Sequence, residues 1–317
     1  MSYLVTGGAG FVGSHVAEVL LQRGEKVLIV DNFNDYYDPQ LKHANAQRLA
    51  AYPQASIIEG DIRDAALMHR LFAEHGIKRV AHMAAMAGVR SSVTQVELYM
   101  AVNTLGTMNL LEAAKAVGVE NFVLASTSSV YGATQKLPFH EDDNADRPLA
   151  AYPASKRSAE LLAYTYHHLF KLNVTVLRFF NVYGPAGRPD MMPMRVLHAL
   201  TKGETITVFG DGSLARDWTY IEDTVAGVIA ALDRPLGYEL INLGAGGPIT
   251  LNEFIETLED LTGRTAKRES VPVPLSEPPI TFCNNEKARR LLDFAPQTPV
   301  HEGLAQTWGW FREAFSV

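Results

Sequence analysis

The sequence predicts an α/β protein, a doubly wound parallel sheet followed by a smaller mixed α/β C-terminal domain. Three observations predict it. Short runs that are apolar throughout alternate with amphipathic stretches across the first half of the chain. The first of these runs ends in a glycine-rich turn that opens a helical pattern. After residue 180 the rhythm loosens, and glycine and proline become frequent. Continuously apolar strands belong to a parallel sheet covered on both faces, and right-handed crossovers then wind it in both directions.

The elements follow in order. "SYLVTG" (2–7) reads as the first strand, "FVGSHVAEVLLQRG" (11–24) as the first helix, and "KVLIVD" (26–31) as a buried strand ending in an acid. "ASIIEGD" (55–61), "RVAHMAA" (79–85), "NFVLAST" (121–127) and "NVTVLRFF" (173–180) repeat the strand theme, with helices expected at 64–76, 97–117 and 152–171. Further helices are expected near 192–202, 221–233, 251–262, 285–293 and 301–315. The strand-like "YELINLG" (238–244) is expected to return to the main sheet. The expected domains, residues 1–180 and 181–317, therefore interleave, with the second packed over the carboxyl edge of the sheet.

Composition narrows the function classes. A chain of 317 residues with 47% hydrophobic content can bury a full core. A net charge of −7, with the charges scattered, argues against a nucleic-acid partner or a polybasic membrane surface. No apolar run approaches the roughly 18 residues that a membrane span needs. The chain starts directly on a strand pattern with no leader signature, and one cysteine, Cys283, rules out a disulfide framework. A cytoplasmic enzyme is expected. Metal chemistry has little support, because His167 and His168 are adjacent and point to different helix faces.

Gly7, Gly10 and Gly13 form G-x-x-G-x-x-G between the first strand and the first helix. Glycines there let the backbone turn tightly and let a diphosphate approach the helix N-terminus, where unpaired N–H groups and the helix dipole favour anions. Asp31, closing the second strand, can accept both ribose hydroxyls of an adenosine. It would repel a 2′-phosphate, and the next residues, Asn32 and Phe33, bring no cation, so NAD is expected over NADP. Asp61, with Ile62 beside it, either meets the adenine edge or caps the following helix.

"AYPASK" puts Tyr152 and Lys156 at i and i+4 on one helix face. A free tyrosine has a pKa of about 10, so bringing it to neutrality takes about 4 kcal/mol of preference for phenolate. An ammonium one turn away, with a nicotinamide cation beside it, can supply that field. The pair follows the fifth strand, whose end is rich in hydroxyls, "STSSVYG" (126–132). That context makes a structural reading of the pair weak.

At this point the sequence resembles the extended short-chain dehydrogenase/reductase family, a Rossmann-fold group, and within it the nucleotide-sugar epimerases. "TGGAGFVGSH", "VDNFNDYYDP", "HMAAMAGVRSS", "VNTLGTMNLLEAA", "ASTSSVYG", "AYPASK", "FFNVYGP", "VFGDGSLARDWTYIED" and "KARRLLDFAPQTPVHEGL" match in order over essentially the whole chain. "FNDYYDPQLK" and "GPAGRPDM" together look most like UDP-glucuronate 4-epimerases. The resemblance implies 4-epimerisation of a UDP-sugar through a transient 4-keto sugar, with tightly bound NAD⁺ and a homodimeric assembly through the helices near 91–117 and 152–171. It implies catalytic roles for Thr127, Tyr152 and Lys156. It extends the dinucleotide site from Gly7, Gly10, Gly13, Asp31 and Asp61 to Phe11, Val12, Asn32 and Ile62. Met83, Ala84, Ala85, Asn103 and Ser126 complete it, although Asn103 is equally readable as a buried structural amide. Thr127, Ser128, Tyr152, Asn181, Arg188, Val208 and Arg216 are the implied UDP-sugar contacts. Arg216 is implied to meet the diphosphate, against an alternative ion pair with Asp217 or Glu222.

Sister reactions of the same fold are disfavoured. Dehydratases carry an Asp-Glu pair after the threonine, and decarboxylases a glutamate two residues on, whereas this chain has Ser128 and Ser129. Cys283 lies too far along the chain to serve as a 3,5-epimerase base. A non-catalytic NAD-binding sensor would lack the Thr127, Tyr152 and Lys156 set. Two departures from the family pattern stand out. The "VPVPLSEPPIT" segment lacks the second diphosphate arginine that relatives carry. Asn181 stands where glucuronate enzymes have threonine, as it does in neutral glucose/galactose epimerases. Arg188, by contrast, suits the C6 carboxylate of a uronic acid. The reading therefore favours UDP-glucuronate, with UDP-glucose/UDP-galactose or their N-acetyl forms as the alternative.

Overall fold

The strands of the main sheet owe their form to side chains that are apolar on both faces. In the computed structural model, which describes residues 2–317, β1 (Ser2–Thr6) sends Tyr3 and Val5 into one core and Leu4 into another on the opposite side of the sheet. This is the period-two alternation of a strand buried on both faces. α1 (Phe11–Gln22), β2 (Lys26–Asp31), α2 (Pro39–Ala50), β3 (Ala55–Glu59), α3 (Ala65–Glu74) and β4 (Arg79–His82) continue the winding. A continuous helical path follows, made of α4 (Val96–Tyr99), a π-helical segment (Met100–Gly106) and α5 (Thr107–Val117). Then come β5 (Asn121–Thr127), α6 (Ala151–Phe170) and β6 (Val174–Phe179).

The chain then builds β7 (Asn181–Tyr183), α7 (Met192–Lys202), β8 (Thr205–Phe209), β9 (Ala215–Tyr220), α8 (Ile221–Asp233) and β10 (Tyr238–Leu243). It ends with β11 (Pro248–Thr250), α9 (Leu251–Thr262), β12 (Lys267–Val271), β13 (Ile280–Thr281), α10 (Glu286–Leu292) and α11 (Val300–Phe315). β10 re-enters the main sheet beside β6, so the seven parallel strands run β10-β6-β5-β4-β1-β2-β3. The remaining strands form small sheets in which β9 pairs β7, β11 and β13, and β8 pairs β12. No helix among the described residues is long and apolar enough to cross a membrane.

The strand order reverses between β1 and β4, and a crevice at the carboxyl ends opens there. The backbones approach closely at that point. A Cβ on Gly7 would lie 2.7 Å from the Ala84 backbone.

One helix falls outside the sequence reading. α2 is polar and presents little apolar periodicity, so its cap decides it: the Asp38 carboxylate accepts from the Gln40 N–H, with Pro39 at the first helical position.

Candidate active site

The dinucleotide half of the site is made by backbone. Gly7 adopts φ +64°, donates its N–H to the Val30 carbonyl (2.8 Å), and accepts from the Gly10 N–H (3.0 Å). A Cβ on Gly13 would stand 2.1 Å from the Gly7 oxygen, so only glycine lets α1 start this close to the loop. Gly10 caps α1 with no side chain, and the first turn carries no acid. The first N–H groups of the helix therefore open onto the cleft without a protein anion to neutralise them. Asp31 closes the far side. Its carboxylate accepts from the Ala9 N–H (3.2 Å) and the Phe33 N–H (3.0 Å), which fixes it at the rim. An uncapped helix start beside a fixed acid suits a diphosphate joined to a ribose diol, as in NAD.

Phe11, Val12, Asn32, Ile62, Met83, Ala84, Ala85 and Ser126 line this cleft together with Gly7, Gly10, Gly13, Asp31 and Asp61. Asp61 is not the helix cap, because the carboxylate of Asp64 takes that place by accepting from the Leu67 N–H. Asp61 instead accepts from the Arg63 guanidinium (2.7 and 3.0 Å) and from the Asn32 amide (2.9 Å). The Arg63 hydrogen bond leads in holding its pKa down at about 2. The Ser126 hydroxyl turns away and donates to the buried Glu160 (2.6 Å).

Asn103 departs from the cofactor expectation. Its amide is fully buried and committed, accepting from the Met86 N–H and donating to the Met86 carbonyl and the Ser155 hydroxyl, each at 2.9 Å. It braces the wall behind the cleft and does not face it. Lys42, which the sequence reading passed over, does line the cleft. It donates to the Asn34 carbonyl and side chain (2.8 and 2.9 Å) and lies 4.8 Å from the Tyr37 ring centre, closing the loop after β2.

Tyr152 and Lys156 line the dinucleotide cleft near where it meets a second one. Tyr152 and Lys156 share one face of α6, and Thr127 at the end of β5 lies close enough to Tyr152 to act on its phenol. Burial raises the phenol above its ordinary pKa, opposed by the Thr127 hydrogen bond and then by the charge of Arg188. Arg188 is thus a cation that bears on this tyrosine, and sequence spacing does not reveal it. Burial pulls the Lys156 ammonium down to about 8, opposed by Glu160 one turn further along.

The second cleft holds Ser128, Ser129, Asn181, Arg188 and Arg216, and also Arg90 and Arg195, which are not among the expected contacts. Arg188 lines both clefts and pairs with Asp190 through two hydrogen bonds (2.9 and 3.0 Å). Arg216 donates to the Ala215 and Pro279 carbonyls and to Glu277 (2.9 Å). Its ion-pair partner is therefore Glu277, and not Asp217 or Glu222. Arg90 approaches the same Glu277 at 3.6 Å. Val208 is a correction. β8 alternates, so Ile206 and Val208 are buried in the core while Thr207 and Phe209 face the cleft.

Fold and site together define a dinucleotide-dependent enzyme with a tyrosine–lysine pair beside an arginine-lined cleft. Residues 3–244 match the NAD dependent epimerase/dehydratase family, and the chain belongs to that family. It is 47% identical to the UDP-glucuronate 4-epimerase of Thermodesulfobacterium geofontis (strain OPF15) over 312 residues, 98% of this chain and 96% of that one. The UDP-glucuronic acid 4-epimerase of Bacillus cereus, crystallised with UDP-glucuronic acid and NAD, superposes with a TM-score of 0.94 at 34% identity, covering 99% of this chain and 100% of that one. The UDP-glucose 4-epimerase of Thermotoga maritima, crystallised with UDP-glucose, gives a TM-score of 0.91 at 31% identity, covering 99% and 100%.

Proposed function

We propose that this chain is an NAD-dependent isomerase that interconverts UDP-glucuronate and UDP-galacturonate by inverting C4 through a transient 4-keto sugar. The observation that carries the reading is Arg188 lining both clefts and acting on Tyr152, which brings a carboxylate-binding cation to the base. NAD, held by the Gly7–Gly13 loop and Asp31, supplies a hydride acceptor for C4 and a donor for its return. Tyr152 accepts the proton of the 4-hydroxyl and later gives it back, with Thr127 orienting the oxygen and Lys156 favouring the phenolate. Arg188 grips the C6 carboxylate. A 4-keto uronate is a β-keto acid, and holding its carboxylate where the breaking bond overlaps poorly with the carbonyl suppresses loss of CO₂. Ser128 and Ser129 offer no acid that could drive elimination of water. Arg216 attracts the UDP diphosphate.

Asn181, which lines the cleft, favours a second reading, 4-epimerisation of a neutral UDP-hexose or its N-acetyl form. Parallel incubation with UDP-glucuronate and UDP-glucose, followed by proton NMR of the C4 configuration, decides between them. Faster conversion of UDP-glucuronate is expected, and conversion of UDP-glucose alone would overturn the uronate assignment.

We also assign a homodimer, a cytoplasmic setting and a functional division near residue 180. Val96, Leu105, Leu161, Tyr164 and Phe170 leave an exposed apolar face on the helices of 96–117 and 151–170, which a second copy would cover. Sedimentation equilibrium at twice the monomer mass is the expected result.

A further inference from the structure

Arg188 is gripped along one edge only. Its Nε and Nη2 donate to the two oxygens of Asp190, at 2.9 and 3.0 Å. A guanidinium has a second edge, formed by Nη1 and the outer hydrogen of Nη2, and each edge can take one carboxylate. Nη1 has no hydrogen-bond partner among the described residues, and the side chain keeps 23% of its surface exposed while lining both clefts.

Asp190 is itself seated. The Tyr36 hydroxyl donates to Asp190 Oδ2 (3.4 Å) and lies 3.4 Å from the Ser91 hydroxyl, while its ring centre is 5.9 Å from the Arg188 guanidinium carbon. Gly88, at φ +98°, makes room for that hydroxyl, since a Cβ there would lie 2.3 Å from it. The loops after β2, β4 and β7 thus converge on one phenol, which reaches Arg188 through Asp190.

We infer that Asp190, seated by Tyr36, is a positioning residue that clamps the side edge of Arg188 and presents its end edge to the sugar carboxylate. The inference rests on the uronate reading above and extends it. A competing role, Asp190 as an internal carboxylate that the substrate must displace, would need the two acids to want the same edge. The bonds place Asp190 on Nε and Nη2, which leaves the end edge open. The pair also offsets most of the arginine charge, so preference for a uronate depends on the angle of the fork more than on net charge.

The test compares a ligand that has the carboxylate with one that lacks it, using holoenzyme. Asp190→Asn should raise KM for UDP-glucuronate about tenfold, equivalent to one lost oriented bond, while Kd for UDP-glucose by calorimetry moves less than about twofold. Asp190→Ala should do more and should release some decarboxylated product. Tyr36→Phe should act in the same direction by about threefold, and Asp190→Ala with Tyr36→Phe should be no worse than Asp190→Ala alone, because the phenol works through the acid. A lower KM for UDP-glucuronate in Asp190→Asn would overturn the inference in favour of competition. Equal losses for both ligands would overturn it in favour of a purely structural acid. A wild-type enzyme that neither binds nor turns over UDP-glucuronate would bring down the uronate reading, and this inference with it. Intact wild-type turnover with unchanged discrimination in the variants would bring down the inference alone.

Discussion

The two clefts are built from different materials. The dinucleotide cleft is set by backbone, with a glycine turn, an uncapped helix start and a carboxylate pinned by two N–H groups. The substrate cleft is set by arginine side chains, and both Arg188 and Arg216 already hold an acid of the same chain. The first is rigid and indifferent to what the sugar is. The second is adjustable, because each guanidinium can be turned or released by changing its acid. Selectivity for the sugar resides where side chains can be retuned without disturbing the cofactor.

The backbone half should break most severely. A Cβ on Gly13 meets the Gly7 oxygen at 2.1 Å and the Gly8 Cα at 2.9 Å, both main-chain atoms that cannot swing aside. Gly13→Ala should strip the purified protein of NAD and cut turnover at least about a hundredfold, since a shift of roughly 1 Å in a positioned group costs that much. Gly10→Ala, whose nearest contact would be 3.2 Å, should keep most of its NAD. Chromatographic measurement of released dinucleotide checks both, and equal retention in the two variants would refute the backbone account.

The junction of the clefts should respond to pH. Burial raises Tyr152 and pulls Lys156 down to about 8, so the first proton to leave these two side chains does so near 8. Only the phenolate–ammonium form acts as base, and its share of the singly deprotonated pair is fixed by the local field. On the acid side, kcat/KM for UDP-glucuronate should therefore rise about tenfold per pH unit and level off above about 8. A flat profile from pH 6 to 8 would mean that the pair does not gate the reaction.

Legibility divides along the same line. The glycine loop, Asp31 and the Tyr152–Lys156 pair stand out in the sequence because spacing along the chain picks them out, and β10 returns to the sheet as its strand-like pattern suggests. Asn103 takes the structural alternative and Val208 the core for a local reason: a saturated amide and one-residue alternation decide whether a side chain faces a cleft or its wall. α2 was missed because a single capping acid outweighs a weak apolar pattern. Arg90 and Glu277 carry no sequence signal because their partners lie far away in the chain, and Asp190 carries none because its role depends on which edge of a guanidinium it takes.

Glu277 makes the mildest test and the sharpest contrast with Asp190. On Arg216, Nη1 donates to two carbonyls and Nη2 to Glu277, so both terminal nitrogens are engaged. Glu277 stands in the "VPVPLSEPPIT" segment, and Arg90 approaches it from the other side at 3.6 Å. An arriving diphosphate and this carboxylate want the same donors. Glu277→Gln should therefore tighten UDP binding, by about threefold as expected for releasing a partly exposed ion pair, and should steepen its salt dependence. Calorimetric titration with UDP at low and moderate salt measures both. Glu277→Gln and Asp190→Asn should therefore differ in sign: an acid on the side edge presents its arginine, and an acid among bonds that engage both terminal nitrogens withholds it. Weaker UDP binding in Glu277→Gln would show that Glu277 also orients its arginine, and the distinction between the two acids would collapse.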